Sequence, residues 1–243
     1  MMTRKKREMS YNAHIEKNEV STMPTVAFEG RIITIDTPQA VDQAIIALSK
    51  EEYVGIDTET RPSFKAGVTN KVALLQLSTP SRCYLVRLCR TKLHPAILKI
   101  LSNKDIKKVG ADVAGDIRSL HELRNFKERG FIDLQQMASY WGIEEKSLRK
   151  MSALILGQRV SKAQRLSNWE SSTLTPQQQM YAATDAWVCI KIYEKLMATQ
   201  PIKPLPNFEI EAQPQAPKPK NEKRPWKRVK YSRKPNTTKH NLE

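Results

Sequence analysis

The chain predicts one α/β domain built on a mixed sheet, and three observations carry that expectation. Short apolar and β-branched runs crowd the first half, among them RIITI, YVGI, VALLQL and CYLVRL. Apolar residues at helical spacing dominate the second half. β–α alternation joins the two, which puts them in one layered domain. A length of 243 residues holds one full-sized domain with tails, or at most two small ones.

Taken in order, residues 1–27 are polar, mixed in charge and weakly periodic, and read as a flexible N-terminal arm with at most a little helix. The folded domain is expected over 28–199. Arg31 to Ile35 is a strand. Thr37-Pro38 then opens a helix with Val41, Ala44, Ile45 and Leu48 on one side. Tyr53 to Glu59, Val72 to Leu77 and Cys83 to Leu88 follow as strands, the last two bracketing Thr79-Pro80-Ser81, and their short connections predict an antiparallel meander. A helix after Pro95, a strand over Ile106 to Val109 and a helix over Val113 to Leu123 continue the chain. Phe131 to Leu134 is a further strand running into a helix that ends near Trp141, and Ser147 caps a helix closed by Gly157. A basic loop, Gln158 to Glu170, leads to the last helix.

From Pro201 the composition changes. Eight of the fourteen prolines lie between Pro201 and Pro235, interleaved with Lys and Arg, so 200–243 reads as a disordered Pro/Lys/Arg-rich basic tail. Of a formal net charge of +16, residues 214–243 contribute +8 and residues 1–9 contribute +3. Such ends favour a polyanion, and Trp226 and Tyr231 among the tail's cations suit nucleic acid. Three cysteines without C-x-x-C spacing argue against a disulfide framework or a zinc site and for a reducing, cytoplasmic setting. The basic N-terminus lacks the apolar run of a signal peptide, and no stretch of ~18 apolar residues offers a membrane span.

The most informative stretch is LTPQQQMYAATDAWVCIKIYEKLM, residues 174–197. Thr175, Pro176 and Gln178 make a capping box, and Met180, Ala183, Trp187, Ile190, Tyr193 and Met197 form an apolar stripe. Tyr181 and Asp185, four apart, project from neighbouring positions off that stripe. Alone, such a pair is ordinary solvated surface. Matching carboxylates lie elsewhere, however: Asp57 and Glu59 share one side of a strand end, and Asp116 opens a helix. Adjacent carboxylates repel unless a cation lies between them. Hard divalent ions prefer oxygen ligands, and a pair of them stabilises the attacking and leaving oxygens of a phosphoryl displacement. The pattern D-x-E, D, Y-x-x-x-D can therefore form a two-metal nuclease site.

Together YVGIDTET, KVALLQLS, KKVGADVAGDIRSL, SLRKMSALILG, LSNWE and LTPQQQMYAATDAW resemble the DEDDy 3′→5′ exonuclease family, which includes ribonuclease D and the Werner-type exonuclease domain. The resemblance runs over roughly residues 30–197 and is strongest to the Werner type. It implies an RNase H-like fold, a mixed five-stranded sheet flanked by helices, and release of nucleoside 5′-monophosphates with two Mg²⁺ or Mn²⁺. It also implies roles: Asp57 bridging both metals, Glu59 and Asp185 completing the site of the attacking water, Asp116 serving the second metal through water, and Tyr181 positioning the water. Asp112 is a rival for the second motif, four residues before Asp116.

Candidate substrate contacts are Phe64 and Lys71 after the first motif, and Arg159, Lys162 and Arg165 in the basic loop, each with a plain surface or packing role as the alternative. Trp169 is expected to pack and Asp133 to cap its local turn, while His94, His121 and His240 have no partner at catalytic or ligand spacing. The nucleic-acid partner is expected to be DNA before RNA. Trimming of RNA in the manner of ribonuclease D is the nearer alternative, and a non-catalytic nucleic-acid-binding scaffold is the alternative of another class.

Overall fold

The computed structural model describes residues 10–65 and 67–210. The first nine residues and 211–243, which hold most of the expected basic tail together with His240, lie outside the described residues.

Seven strands form one mixed sheet: β1 (Arg31–Ile35), β2 (Tyr53–Thr60), β3 (Val72–Ser78), β4 (Arg82–Val86), β5 (Lys107–Gly110), β6 (Phe131–Asp133) and β7 (Glu209–Ile210), in the order β1-β4-β3-β2-β5-β6-β7. β2, β3 and β4 form the expected antiparallel meander. β1 joins β4 in parallel, and β5 and β6 extend the other side in parallel. The mixed sheet with flanking helices agrees with the expectation, but it is wider than five strands. β6 is a full ladder partner of β5, and β7 adds a two-residue antiparallel edge on β6.

Helices cover both sheet faces. α1 (Lys17–Thr22), α2 (Pro38–Leu48), α3 (Leu88–Thr91), α4 (Pro95–Leu101), α5 (Val113–His121), α6 (Leu134–Met137), α7 (Leu148–Leu156) and α8 (Pro176–Met197) follow in chain order, with a 3-10 turn over Ala138–Trp141. Val41, Leu48, Ile97, Ile117 and Ile56 meet in one apolar cluster on the α2, α4 and α5 side. Trp141, Met151, Val188 and Ile192 meet in another on the α8 side.

Three expectations need correction. Residues 10–27 are not a free arm: Ile15 and Val20 bury against Ala153, and Val26 joins the α8-side cluster. The chain also stays on the domain past residue 199, where the Ile202 amide donates to the Tyr140 carbonyl at 2.8 Å and Phe208 meets Tyr140 edge-on. Finally, α8 buries far more than one stripe. Ala182 through Ala186, Val188, Cys189 and Ile192 are all buried, while Met180 and Met197, expected inside, are exposed. Sheet, α7 and the N-terminal segment surround α8, so its burial wraps most of the circumference.

Candidate active site

The capping box at Thr175 and Gln178 is present in both directions and fixes where α8 begins. What brings α8 to β2 is Gly55. A Cβ at that position would lie 1.9 Å from the Ala186 carbonyl oxygen, so only glycine lets strand and helix approach this closely. Two residues beyond Gly55 stands Asp57, and one residue before Ala186 stands Asp185. The close crossing thus sets the first and third acidic motifs side by side.

β2 pairs with β5 only over Tyr53 to Gly55. Asp57 to Glu59 run past the end of that ladder, held from the other side by β3. A bulge between Glu59 and Thr60 ends the regular pairing, a feature that re-aims side chains at strand ends. The space left open at the carboxyl end of a strand flanked by parallel and antiparallel neighbours is where open α/β sheets place ligands. Here it is a cavity of about 260 Å³ lined by Asp57, Glu59, Tyr181, Asp185, Lys146 and Arg165, among others.

Carboxylate oxygens of Asp57, Glu59 and Asp185 lie within 4.8 Å of one another. Asp116 stands beside this trio rather than in it. Thr58, which alternation turns away from Asp57 and Glu59, donates its hydroxyl to Asp116 Oδ1 at 2.5 Å. The rival Asp112 is exposed and precedes α5 in a left-handed conformation, φ 65°, without a side-chain capping bond, whereas Asp116 is buried. Of the two, Asp116 is the buried one, close enough to the acids that its charge and those of Asp57 and Glu59 act on each other. Tyr181 lies one helical turn from Asp185 and lines the same cavity, where the charges of Asp185 and Glu59 act on its phenol. Trp169, fully buried, packs its ring 6.0 Å from that of Tyr181, the packing role expected of it.

Burial and mutual repulsion leave these acids short of positive charge. Burial pushes Asp57 up to about 7, and burial with the charges of Asp57, Asp185 and Asp116 pushes Glu59 to about 10. Asp116 and Asp185 are raised by burial first and by Asp57 second. Burial and the neighbouring carboxylates likewise hold the Tyr181 phenol neutral. Two buried polar groups near the acids lack partners among the described residues: Asp116 Oδ2 and the side-chain amide of Gln76. Gln76 is the cross-strand neighbour of Asp57. Hard oxygen donors, crowded negative charge and orphaned polar atoms together fit a divalent cation, which prefers such ligands.

The other predicted contacts divide. Arg165 lines the acid cavity. Lys162 lines a different, larger cleft against α1. Arg159 is committed elsewhere, its Nε donating to the Met23 carbonyl at 2.9 Å, so it holds the N-terminal segment rather than a ligand. Phe64 is 87% exposed on the loop after β2, in a shallow cleft with Arg61 and Asn70 and apart from the acid cavity. Lys71 is exposed just before β3 and lines neither cleft. Asp133 caps α6 by accepting from the Gln135 amide at 2.8 Å, as expected. Sequence reasoning missed Thr58, Gln76 and Lys146. Gln76 left a signal, a lone amide inside VALLQL, but Thr58 and Lys146 left none that spacing could find.

A 3′-5′ exonuclease family profile matches residues 32–199, from β1 to the end of α8. The chain is 35% identical over 186 residues to the bifunctional 3′-5′ exonuclease/ATP-dependent helicase WRN of Mus musculus, covering 72% of this chain and 13% of that protein. It is 29% identical over 189 residues to a 3′-5′ exonuclease of Arabidopsis thaliana, covering 71% of this chain and 66% of that one. The chain thus spans a small part of the first relative and just under two thirds of the second. Escherichia coli RNase D is similar in fold, with a TM-score of 0.63 at 22% identity over 69% of this chain and 44% of that one. The family match takes in every acid gathered at the cavity and most of the chain, and the protein belongs to the DEDD-type 3′–5′ exonuclease family.

Proposed function

We propose that the domain hydrolyses nucleic acid from its 3′ end, releasing nucleoside 5′-monophosphates with two divalent metal ions, Mg²⁺ or Mn²⁺, and that its substrate is DNA. The observation that carries the reaction is the meeting of Asp57, Glu59 and Asp185 oxygens within 4.8 Å beside the Tyr181 phenol. Asp57, Glu59 and Asp185 would hold the cations, with Asp116 completing the set. When bound, such ions lower the pKa of a coordinated water and stabilise charge on the phosphoryl oxygens. The chain's own groups do the rest. Tyr181, neutral and standing beside Asp185 in the cavity, orients the attacking water through its hydroxyl. Lys146 and Arg165 line the same cavity and meet phosphate oxygens. The water oxygen bonds to phosphorus as the bond to the 3′ oxygen breaks, leaving a 3′-hydroxyl on the shortened strand.

The DNA preference is supported by the Werner-type wording of the third motif, YAATDAW. RNA is the second reading, favoured by the fold shared with E. coli RNase D, an exoribonuclease involved in structured RNA processing. The test is release of mononucleotides from 3′-recessed DNA and from matched single-stranded RNA, with Mg²⁺ or Mn²⁺, with EDTA, and with Asp57→Ala. Metal-dependent release from DNA that the variant lacks supports the whole proposal. Release from RNA alone keeps the chemistry and reassigns the substrate. Release from neither would sink the enzyme reading in favour of a binding scaffold.

A further inference from the structure

A cleft of about 940 Å³, much larger than the acid cavity, lies between the N-terminal segment and the body. α1 walls one side, and the start of α7 with the basic loop walls the other. Its cations are Lys17 from α1, Arg149 and Lys150 from α7, and Lys162 from the loop, with Glu16 the acid that lines it. Lys150 is paired with Glu145 at 2.8 Å, and Arg149 gives one N–H to the Val160 carbonyl at 3.0 Å. Among the described residues no carboxylate forms an ion pair with Lys17, Arg149 or Lys162. The cleft meets the acid cavity at Ser147, which lines both. Cations therefore line both cavities that meet at Ser147: Lys146 and Arg165 beside the acids, and Lys17, Arg149, Lys150 and Lys162 in the cleft.

The outer wall is built rather than loosely laid on. Ile15 and Val20 bury against Ala153. The Ile15 amide donates to Glu145 Oε1 at 3.3 Å, the Glu144 amide donates to the Ala13 carbonyl at 2.9 Å, and Arg159 grips the Met23 carbonyl. Yet this wall lies outside residues 32–199, the stretch that matches the family. We propose that the cleft carries the sugar–phosphate backbone of the single strand upstream of the 3′-terminal nucleotide, which makes residues 10–27 part of the substrate-binding surface. The inference rests on the exonuclease reading, because it is continuity with the acid cavity that selects a nucleic-acid strand over another polyanion. Long lysine stems reaching phosphates give sequence-independent, salt-sensitive contact, as a processing enzyme needs.

The test is fluorescence anisotropy of the full chain with 5′-labelled single-stranded DNA and RNA over a salt series, in EDTA to prevent hydrolysis. Lys17→Ala with Lys162→Ala is expected to weaken binding and to flatten the slope of log K against log salt by about 1.4, ~0.7 for each phosphate that a lysine no longer neutralises on a single strand. Lys17→Arg with Lys162→Arg is expected to keep the wild-type slope. So is Lys99→Ala, an exposed position on α4, which packs on α2. A double alanine variant with wild-type affinity and slope on both strands overturns the inference. Nucleotide release by the wild-type chain in Mg²⁺ is scored separately. Its failure refutes the exonuclease reading, whereas the salt slope alone decides the cleft.

Discussion

Val54 and Ile56 leave one face of β2 for an apolar cluster with Leu48, Ile97 and Ile117, whereas Gly55, Asp57 and Glu59 leave the other for α8 and the acid cavity. Alternate residues of one strand thus do opposite work. Each fully buried Val or Ile contributes about 1.5–3 kcal/mol of apolar transfer. Each buried, crowded carboxylate costs stability until a cation balances it. The contrast shows how a strand can present metal-ready acids at all: the apolar face anchors the strand, and the acidic face is left destabilised in the metal-free protein. Stability and chemistry should therefore separate cleanly between neighbouring residues.

The largest separation is expected at Asp57. Asp57→Asn should lower turnover on the order of 10³-fold, the scale of losing preorganised charge stabilisation. It should also raise the melting temperature in EDTA, because one repelling charge is gone. Thermal melts beside single-turnover assays would show both. Its neighbour Ile56 should do the reverse. Ile56→Ala is expected to cost about 2–5 kcal/mol, read by denaturant unfolding, while the folded enzyme keeps its turnover. A loss of turnover matching that of Asp57→Asn would break the comparison.

A third expectation concerns pH. Asp57 is raised to about 7 and Glu59 to about 10 by burial, so the folded state holds protons that the unfolded chain has already released. Below about pH 4 both states are protonated and these acids cost nothing. As pH rises toward 7, the metal-free protein should lose stability progressively, and further toward 10. Excess Mg²⁺ should flatten the decline by binding the folded state alone. Melting curves in EDTA that do not change between pH 4 and 7 would remove the repulsion argument. The smallest effect is expected at Gln76, whose orphaned amide lies across from Asp57. Gln76→Met should stabilise the metal-free protein by about 1 kcal/mol in urea unfolding, since an unsatisfied buried amide is removed at nearly constant volume.

The meander, the α8 capping box and the spacing of the five motif residues are legible in the sequence, because strand period, capping chemistry and D-x-E geometry are local. The docking of residues 10–27 is not. Ile15 and Val20 are too few to give a period, and their partner Ala153 lies far along the chain. Charge alone marks Arg159 for a phosphate, yet it binds backbone carbonyl oxygen, a choice only tertiary placement decides. The stripe on α8 is right at Ala183, Ile190 and Tyr193 and wrong at its ends for a related reason: Met180 and Met197 face solvent, while Ala182 and Ala186 outside the stripe carry close packing. Nor does periodicity report a close approach such as that of Gly55 to Ala186.

The central claim is that Asp57 and its neighbours hold divalent cations at the end of β2. Binding of Mn²⁺ to the full chain, followed by electron paramagnetic resonance with wild-type protein and Asp57→Asn, tests it most directly. The expected result is Mn²⁺ bound by the wild type and not by a variant that folds and melts at least as high in EDTA. Equal Mn²⁺ binding by both proteins would place the metal elsewhere and contradict the account.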